Sequence, residues 1–413
     1  MIQANIKKIL LAATFFAAVP SALPLLAADA TVSVQNITEL RDAAEGGDAK
    51  AQYNLGWAYH NGIDIAKDDI QAVKWWEKAA EQGNADAQYT LGVAYDNGVG
   101  KGVDDYEAAQ WWEKAAEQGV AKAQYNLAVA YSNGAGVLKD DVAAVKWYKK
   151  AAEQGIVRAE YDLGTSYHNG IGIKKDEAEA VQWWQKAADH GDVEAEYYLG
   201  VAYDSGVGLE KNETEAVKWY RKAAEQGYVN AEYNLAVSLH KGAGVEKNEA
   251  EAVQWYRKAA EQGYVKAQYN LAVAYSSGTG IEKDDAKAAK WWRKAAGKGL
   301  PNAQYYLASA YEHGSGVKKD DAKATSWYRE AAEQGHADAA FSLGMAYNNG
   351  AGIEKDKVLA YAWLNLAVAS GNKEAAAKRD EIEKSLTQNE IIEGQRLSHE
   401  GKAPRNWFLG GVE

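Results

Sequence analysis

The stretch Trp75-Trp76-Glu77-Lys78-Ala79-Ala80-Glu81-Gln82-Gly83 returns, slightly altered, every 36 residues. Its closing glycine falls at Gly47, Gly83, Gly119, Gly155, Gly191, Gly227, Gly263, Gly299, Gly335 and Gly371, with no slip in the spacing. A fixed period of this size is the sequence signature of a solenoid. It sets aside the prior of two or three domains that 413 residues would carry, because each repeat of a solenoid needs only its neighbours.

Nine full repeats begin at Asp48, Asn84, Val120, Ile156, Asp192, Tyr228, Tyr264, Leu300 and His336 and end at residue 371. Each divides into two helices. Helix A of the first repeat is expected from about Ala49 to His60. Its Ala51, Leu55, Ala58 and Tyr59 recur at a helical period. Asn61-Gly62 then ends it, glycine being able to take the left-handed conformation that closes a helix. A second glycine usually follows two residues on, at Gly100, Gly136 and Gly172, with Asp64 the exception. Helix B opens on an Asp or Asn, from Asp68 and Asp104 through Asn212 to Asp356, a side chain that accepts hydrogen bonds from the free N–H groups of a first turn.

The columns say how the pieces pack. Trp75 and its eight equivalents are invariant within the chain, as are Ala51, Leu55 and Ala72 with theirs, and the position of Gly56 holds only Gly or Ala. Small residues let helix axes approach, and a large ring fills the space that remains. Thirteen of the fifteen tryptophans stand in the helix B columns and are expected in the core rather than on a sugar-binding platform.

These positions together, Ala51 through Leu55-Gly56 and Tyr59, then Asn61-Gly62, then Ala72, Trp75-Trp76, Ala79-Ala80 and Gly83, resemble the Sel-one-like repeat family, a relative of the tetratricopeptide repeats. The resemblance covers residues 48–371. It implies an all-α, right-handed α/α superhelical solenoid that serves as an adaptor for protein complexes. It also implies an exported bacterial protein, periplasmic or secreted, that binds a protein or peptide partner without a cofactor. One branch of the family has paired cysteines in every repeat and is linked to penicillin binding or hydrolysis. This chain has no cysteine.

The absence of cysteine also excludes disulfides, thiol catalysis and Cys-ligated metal. Net charge is −12, and −14 once Lys7 and Lys8 are gone, which disfavours nucleic acid and anionic membrane as partners. Those two lysines, the apolar run from Ile9 to Val19 and the small residues after it read as a signal peptide over residues 1–28, cut after Ala28 or Ala30. No later stretch is apolar enough to span a bilayer.

The ends depart from the period. Residues 31–35 form a linker. Residues 36–47 read as a half-repeat capping the first full one, with Asn36 and Glu39 as a helix N-cap pair. Residues 372–400 read as two capping helices, the first with Ile382 and Leu386 inward. Thr387 and Glu390 make a capping box for the second, with Ile391, Ile392 and Leu397 inward. Residues 401–413 form a tail whose Trp407 and Phe408 can tuck back.

No nucleophile elbow, phosphate loop or His-Glu-x-x-His pattern is present. His60, His168 and His240 share one column but lie two or three repeats apart, roughly 20–30 Å at a helix spacing of about 10 Å, too far to converge on one metal. The acidic pairs such as Asp68-Asp69 and Asp104-Asp105 fit helix capping better than a calcium loop.

One stripe of helix A varies while the scaffold columns do not. In the first repeat it is Lys50, Asn54, Trp57 and Asn61, on a face away from Ala51, Leu55 and Tyr59. In the second it is Asp86, Thr90, Val93 and Asn97; in the third Lys122, Asn126 and Val129; in the fourth Arg158 and Asp162. This stripe is expected to line a concave groove and to hold an extended protein segment. Its Asn amides would bond the segment's backbone and an exposed Trp57 would serve as anchor. The competing function is an envelope enzyme or a cell-wall binder of peptidoglycan or penicillin. The lack of a nucleophile–base pair favours the scaffold.

Overall fold

The computed structural model describes residues 37–399. The signal segment, Asn36, Glu400 and the tail with Trp407 and Phe408 lie outside the described residues. Among the described residues there are 21 helices and no strand. A short helix α1 (Ile37–Glu45) precedes nine helix pairs, and the chain divides into two compact units, one to Lys222 and one from Ala223.

In the first unit the A helices are α2 (Ala49–Asn61), α4 (Ala85–Asn97), α6 (Ala121–Asn133), α8 (Val157–Asn169) and α10 (Val193–Ser205). Their B partners are α3 (Asp69–Glu81), α5 (Asp105–Glu117), α7 (Asp141–Glu153), α9 (Glu177–Asp189) and α11 (Glu213–Glu225). The A helices of the second unit are α12 (Val229–Lys241), α14 (Val265–Ser277), α16 (Pro301–His313) and α18 (Ala337–Asn349). Its B helices are α13 (Glu249–Glu261), α15 (Asp285–Ala296), α17 (Asp321–Glu333) and α19 (Lys357–Ala369). From α1 to α10, and again from α12 to α19, each helix packs on the next, which makes the fold an all-α solenoid.

The helix ends follow from the sequence. Gly62 closes α2 at φ 71°, and its N–H bonds the Ala58 carbonyl. Asp68 caps α3 by accepting from the N–H groups of Ile70 and Gln71 at 3.0 Å, while its own N–H bonds Tyr59 O at 2.9 Å. The turn is thus tied at both ends. The same cap recurs at Asp140, Asn212 and Asp356. At the far end of α3, the N–H groups of Gly83 and Asn84 bond Ala80 O and Ala79 O, a Schellman closure.

The second loop glycine sets the spacing between repeats. A Cβ on Gly136 (φ 69°) would lie 1.9 Å from the carbonyl oxygen of Asp105, so the loop backbone rests directly on the start of the preceding helix B. Asp64 takes φ 54° at the same register.

The core consists of columns. Leu55 and its eight equivalents are all fully buried, and so is Trp76. A Cβ on Gly56 would come within 2.4 Å of the Trp76 ring, so the indole occupies the space the glycine leaves. The two tryptophan columns of helix B differ in depth. Trp76, Trp112, Trp184 and Trp292 are buried, whereas Trp75, Trp111, Trp219, Trp291 and Trp327 are half-buried. Trp147, Trp183, Trp255 and Trp363 of the Trp75 column are also buried, so the expectation of helix B tryptophans in the core is corrected only for the half-buried five. The outer face of the Trp75 column is covered by lysines one turn on: Lys78 over Trp75 at 3.8 Å, Lys114 over Trp111 at 3.8 Å, Lys186 over Trp183 at 3.7 Å. Such cation–π contacts let a lysine stem shield the ring while its charge stays wet.

A polar column crosses this core. Gln52, Gln88 and Gln124 are buried, and each donates to a carbonyl of the preceding element, Ala44, Ala80 and Ala116, at 3.0–3.1 Å. Each also accepts from Gln82, Gln118 or Gln154 thirty residues on. Glutamate takes this place at Glu160, Glu196 and Glu232 and has no amide proton to give. At Glu196 the Lys222 ammonium substitutes, bonding both the carboxylate at 2.9 Å and Ala188 O at 3.2 Å. Glu160 faces His190 at 2.8 Å. Glu232 accepts from Gln262 at 2.9 Å, and burial pushes its carboxyl above the ordinary 4.5, against Lys258 and Gln262. A raised acid favours the folded state when protonated. Its contribution is present below 4.5 and is lost as pH rises through the folded value. Glu232→Gln is therefore expected to stabilise the second unit by about 1 kcal/mol at pH 7.5 and by much less near pH 4. Melting curves at the two pH values test this; equal gains at both would contradict it.

At the C-terminal end α20 (Ala375–Glu383) and α21 (Gln388–His399) both pack on α19. Thr387 and Glu390 form the capping box, Thr387 N–H donating to Glu390 Oε2 at 2.7 Å. Ile382 is buried, but Ile392 is 55 % exposed, contrary to its expected inward position. Gly394 takes the inner seat instead, because a Cβ there would already be 2.7 Å from the Tyr361 ring.

Candidate interaction surface

The variable helix A stripe separates by level. Lys50, Asp86 and Lys122, in the first turn of α2, α4 and α6, are exposed. Asn61 and Asn97 are also exposed, but their amides bond back to Trp57 O at 3.1 Å and Val93 O at 2.9 Å. The middle levels are different. Thr90, Val93, Asn126 and Trp57 are buried, and Asn54 and Val129 are half-buried. Trp57 is 4 % exposed. Its ring meets Trp76 edge-on at 5.4 Å and His60 at 5.6 Å, inside a cluster with Ala87 and Leu91 of the next repeat.

The expectation of Trp57 as an exposed anchor, with Asn126 free to bond a backbone, is thus corrected. A helix in a single-layer pair has one buried face, whereas helix A here is covered from two directions. Its own helix B covers one side and the neighbouring repeat the other.

Arg158 and Asp162 are brought together with groups from the next repeat. Arg158 Nη1 pairs with Glu194 and lies 3.9 Å from Asp192, and its Nε lies 3.7 Å from Asp162. Asp162 accepts from the Tyr125 hydroxyl at 3.2 Å. Burial pushes the Asp162 carboxyl up to about 7, against the pull of Arg158 and the Tyr125 hydroxyl. Ser132, Tyr148, Asp162 and Thr165 line a small cleft beside this cluster. An acid held near neutrality by burial is a recurrent mark of reactive sites and equally of buried ion-pair networks. Here Arg158, Asp162, Asp192 and Glu194 form one network, so the ionic arrangement joins repeats four and five, and Tyr125 ties it to repeat three.

Sequence reasoning passed over the aromatic column one residue earlier. Tyr53, Tyr89, Tyr125 and Tyr161 recur at every repeat and end with Phe341. Tyr198 and Tyr306 replace the small polar residues of the Asn54 column. They lie over buried indoles, Tyr198 on Trp184 at 5.2 Å and 21°, Tyr306 on Trp292 at 5.3 Å and 14°. Tyr306 remains 40 % exposed. The signal was present in the sequence: two large rings in a column otherwise filled by Asn, Thr, Asp and Ser.

The histidine column forms separate pairs. His60 lies 2.6 Å from Asp69, His168 2.6 Å from Glu177 and His240 2.7 Å from Glu249, each ring facing the first residue of its own helix B. No group of three or more potential metal ligands converges among the described residues. No helix among them is long and apolar enough to cross a membrane.

Comparison with known proteins gives the family. The Sel1 repeat model matches nine consecutive segments, 49–84, 85–120, 121–156, 157–192, 193–228, 229–264, 265–300, 301–336 and 337–372. Among solved structures, the chain is similar to c5321, a protective antigen present in uropathogenic Escherichia coli strains displaying an SLR fold. Identity is 33 %, coverage is 92 % of this chain and 100 % of that one, and the TM-score is 0.53. It is also similar to a Sel1 repeat protein from Oxalobacter formigenes, at 32 % identity over 84 % of this chain and 90 % of that one, with a TM-score of 0.54. No curated protein matches. With nine uninterrupted matches and full-length relatives of the same architecture, the chain belongs to the Sel1 repeat family, whose members are typically non-catalytic scaffolds for protein interaction.

Proposed function

We propose that the protein is an exported, non-enzymatic scaffold of a bacterial envelope that holds a protein segment against the helix A face of its first unit. The observation that carries this reading is the contrast along that face. The Ala51 and Leu55 columns of the same helices are uniform, whereas the exposed first-turn positions change charge from Lys50 to Asp86 to Lys122. A periodic scaffold presenting an aperiodic charge row suits an extended segment, which meets successive repeats with successive side chains. The signal-like residues 1–28 support export, as does similarity to a protein described as a protective antigen.

Two measurements test the reading. Mass spectrometry of the mature chain is expected to find an N-terminus at Asp29 or Thr31; an intact Met1 in a secreted or periplasmic fraction would contradict export. Lys122→Glu together with Asp86→Lys is expected to lower capture of a cross-linked envelope partner by about tenfold or more without changing helicity, because both side chains stand in solvent. Unchanged capture would remove the helix A face from the proposal. Nitrocefin hydrolysis above background would favour the enzymatic alternative.

A further inference from the structure

Six of the nine large apolar side chains exposed among the described residues lie between Ile63 and Val142. Ile70, Tyr106 and Val142 occupy the second position of α3, α5 and α7, and Val103 and Leu138 stand in the loops just before α5 and α7. Leu138 is 91 % exposed. The loop glycines tie each loop to the start of the preceding helix B. Gly100 rests on the Asp69 carbonyl beside Ile70, and Gly136 rests on Asp105 and the Tyr106 backbone nitrogen. Val103 follows Gly100 by three residues and Leu138 follows Gly136 by two. The stripe stops at repeat four, where Lys174 and Ala178 take the registers of Leu138 and Val142. It lies on the loop edge, apart from the helix A face.

The charges of this edge indicate what covers it. In repeats one, four and six a histidine faces the first acid of helix B at 2.6–2.7 Å. In repeat two the same register places Asp96 opposite Asp105. Asp96 is pushed up by burial and by Asp105, and neither carboxylate has an ion pair among the described residues. The nearby lysines are engaged elsewhere: Lys67 with Asp69, Lys101 with Glu77, Lys139 with Asp141. Two carboxylates thus share a register that holds an acid and an imidazole in repeats one, four and six, with Tyr106 the next residue after Asp105 and Val103 two residues before it.

We propose that this edge docks a partner protein segment in which a lysine or arginine is flanked by large apolar side chains. The cation enters between Asp96 and Asp105, where the imidazole stands in repeats one, four and six. The apolar neighbours cover Tyr106 and Leu138. Such a pairing unites charge complementarity with burial of exposed apolar surface, the two features that distinguish a docking edge from a solvated one.

A random-dodecapeptide display library panned against the full chain tests this. Selected peptides are expected to be enriched in Lys or Arg beside Leu, Ile, Phe or Trp. They are expected to bind about tenfold more weakly to Asp96→Asn/Asp105→Asn, and separately to Tyr106→Ser/Leu138→Ser, while the helix A variant Lys122→Glu binds as wild type. Circular dichroism of each variant reports that the fold persists. Failure to select peptides, enrichment of acidic or neutral ones, binding to both double variants within about twofold of wild type, or loss on Lys122→Glu alone would each overturn the proposal. The last outcome would instead support the helix A face.

Discussion

Trp57→Ala is expected to destabilise the start of the first unit by about 3–5 kcal/mol, the usual cost of deleting a buried indole. The ring is 4 % exposed and packs on Trp76, His60 and Tyr53. Removing it opens a cavity that Gly56 beside it cannot help to fill. Trp147 is 9 % exposed, with Lys150 at 4.1 Å over its ring, so Trp147→Ala is expected to cost less than Trp57→Ala. Because repeats depend on their neighbours, the loss should be greatest in α1 to α4 and fade further along the unit. Hydrogen exchange resolved by peptide, together with denaturant titration, measures both. If Trp57→Ala left protection in α2 to α4 unchanged, the residue would be an exposed anchor after all.

Gly136→Ala should be as damaging for a different reason. Its φ of 69° costs an alanine about 1–2 kcal/mol, and the new Cβ would stand 1.9 Å from the Asp105 carbonyl oxygen, which is backbone and cannot swing aside. The loop must lift off α5, and the total is expected to reach about 3 kcal/mol or more. Gly119→Ala is the control. Its φ is 93°, but nothing lies within 4 Å of the added methyl, so only the conformational cost of about 1–2 kcal/mol applies. Equal losses in the two variants would show that the loop contact adds nothing.

Much of this architecture was legible in the sequence, and the parts that were not share a cause. Period, helix boundaries and the Asp68-type caps depend on neighbours within one turn, and the residues that make them are adjacent in the chain. The same holds for Leu55, whose column repeats without variation, and for Gly56, whose column holds only Gly or Ala. The misreading of Trp57 and Asn126 came from treating helix A as having one buried face. Their burial depends on residues one repeat away, Ala87 and Leu91 for Trp57. Ile392 failed for a similar reason, since the periodic pattern could not register that Tyr361 leaves room only for Gly394. The buried glutamates were visible as substitutions in a glutamine column, but their meaning required the carbonyl that Gln124 reaches and Glu160 cannot. The exposed apolar edge was present as Ile70, Tyr106 and Val142, and only the loop contacts showed that each loop rests on the start of the preceding helix B.

The seam between repeats has a further consequence for how the length of such a chain can change. A Cβ on Gly100, Gly136 or Gly172 would lie 2.2, 1.9 or 2.0 Å from the carbonyl oxygen of Asp69, Asp105 or Asp141, and Gln82, Gln118 and Gln154 each reach back thirty residues to the same partner position. Every joint in this stretch therefore accepts the same plug. A recombination event that removes residues 121–156 would bring the end of α5 to the start of α8 and re-create the joint it deleted. Gene length can then vary in steps of one whole repeat while each surviving interface stays chemically familiar, which makes the number of repeats, and with it the span available to a partner, an inherited quantity adjustable without redesigning the protein.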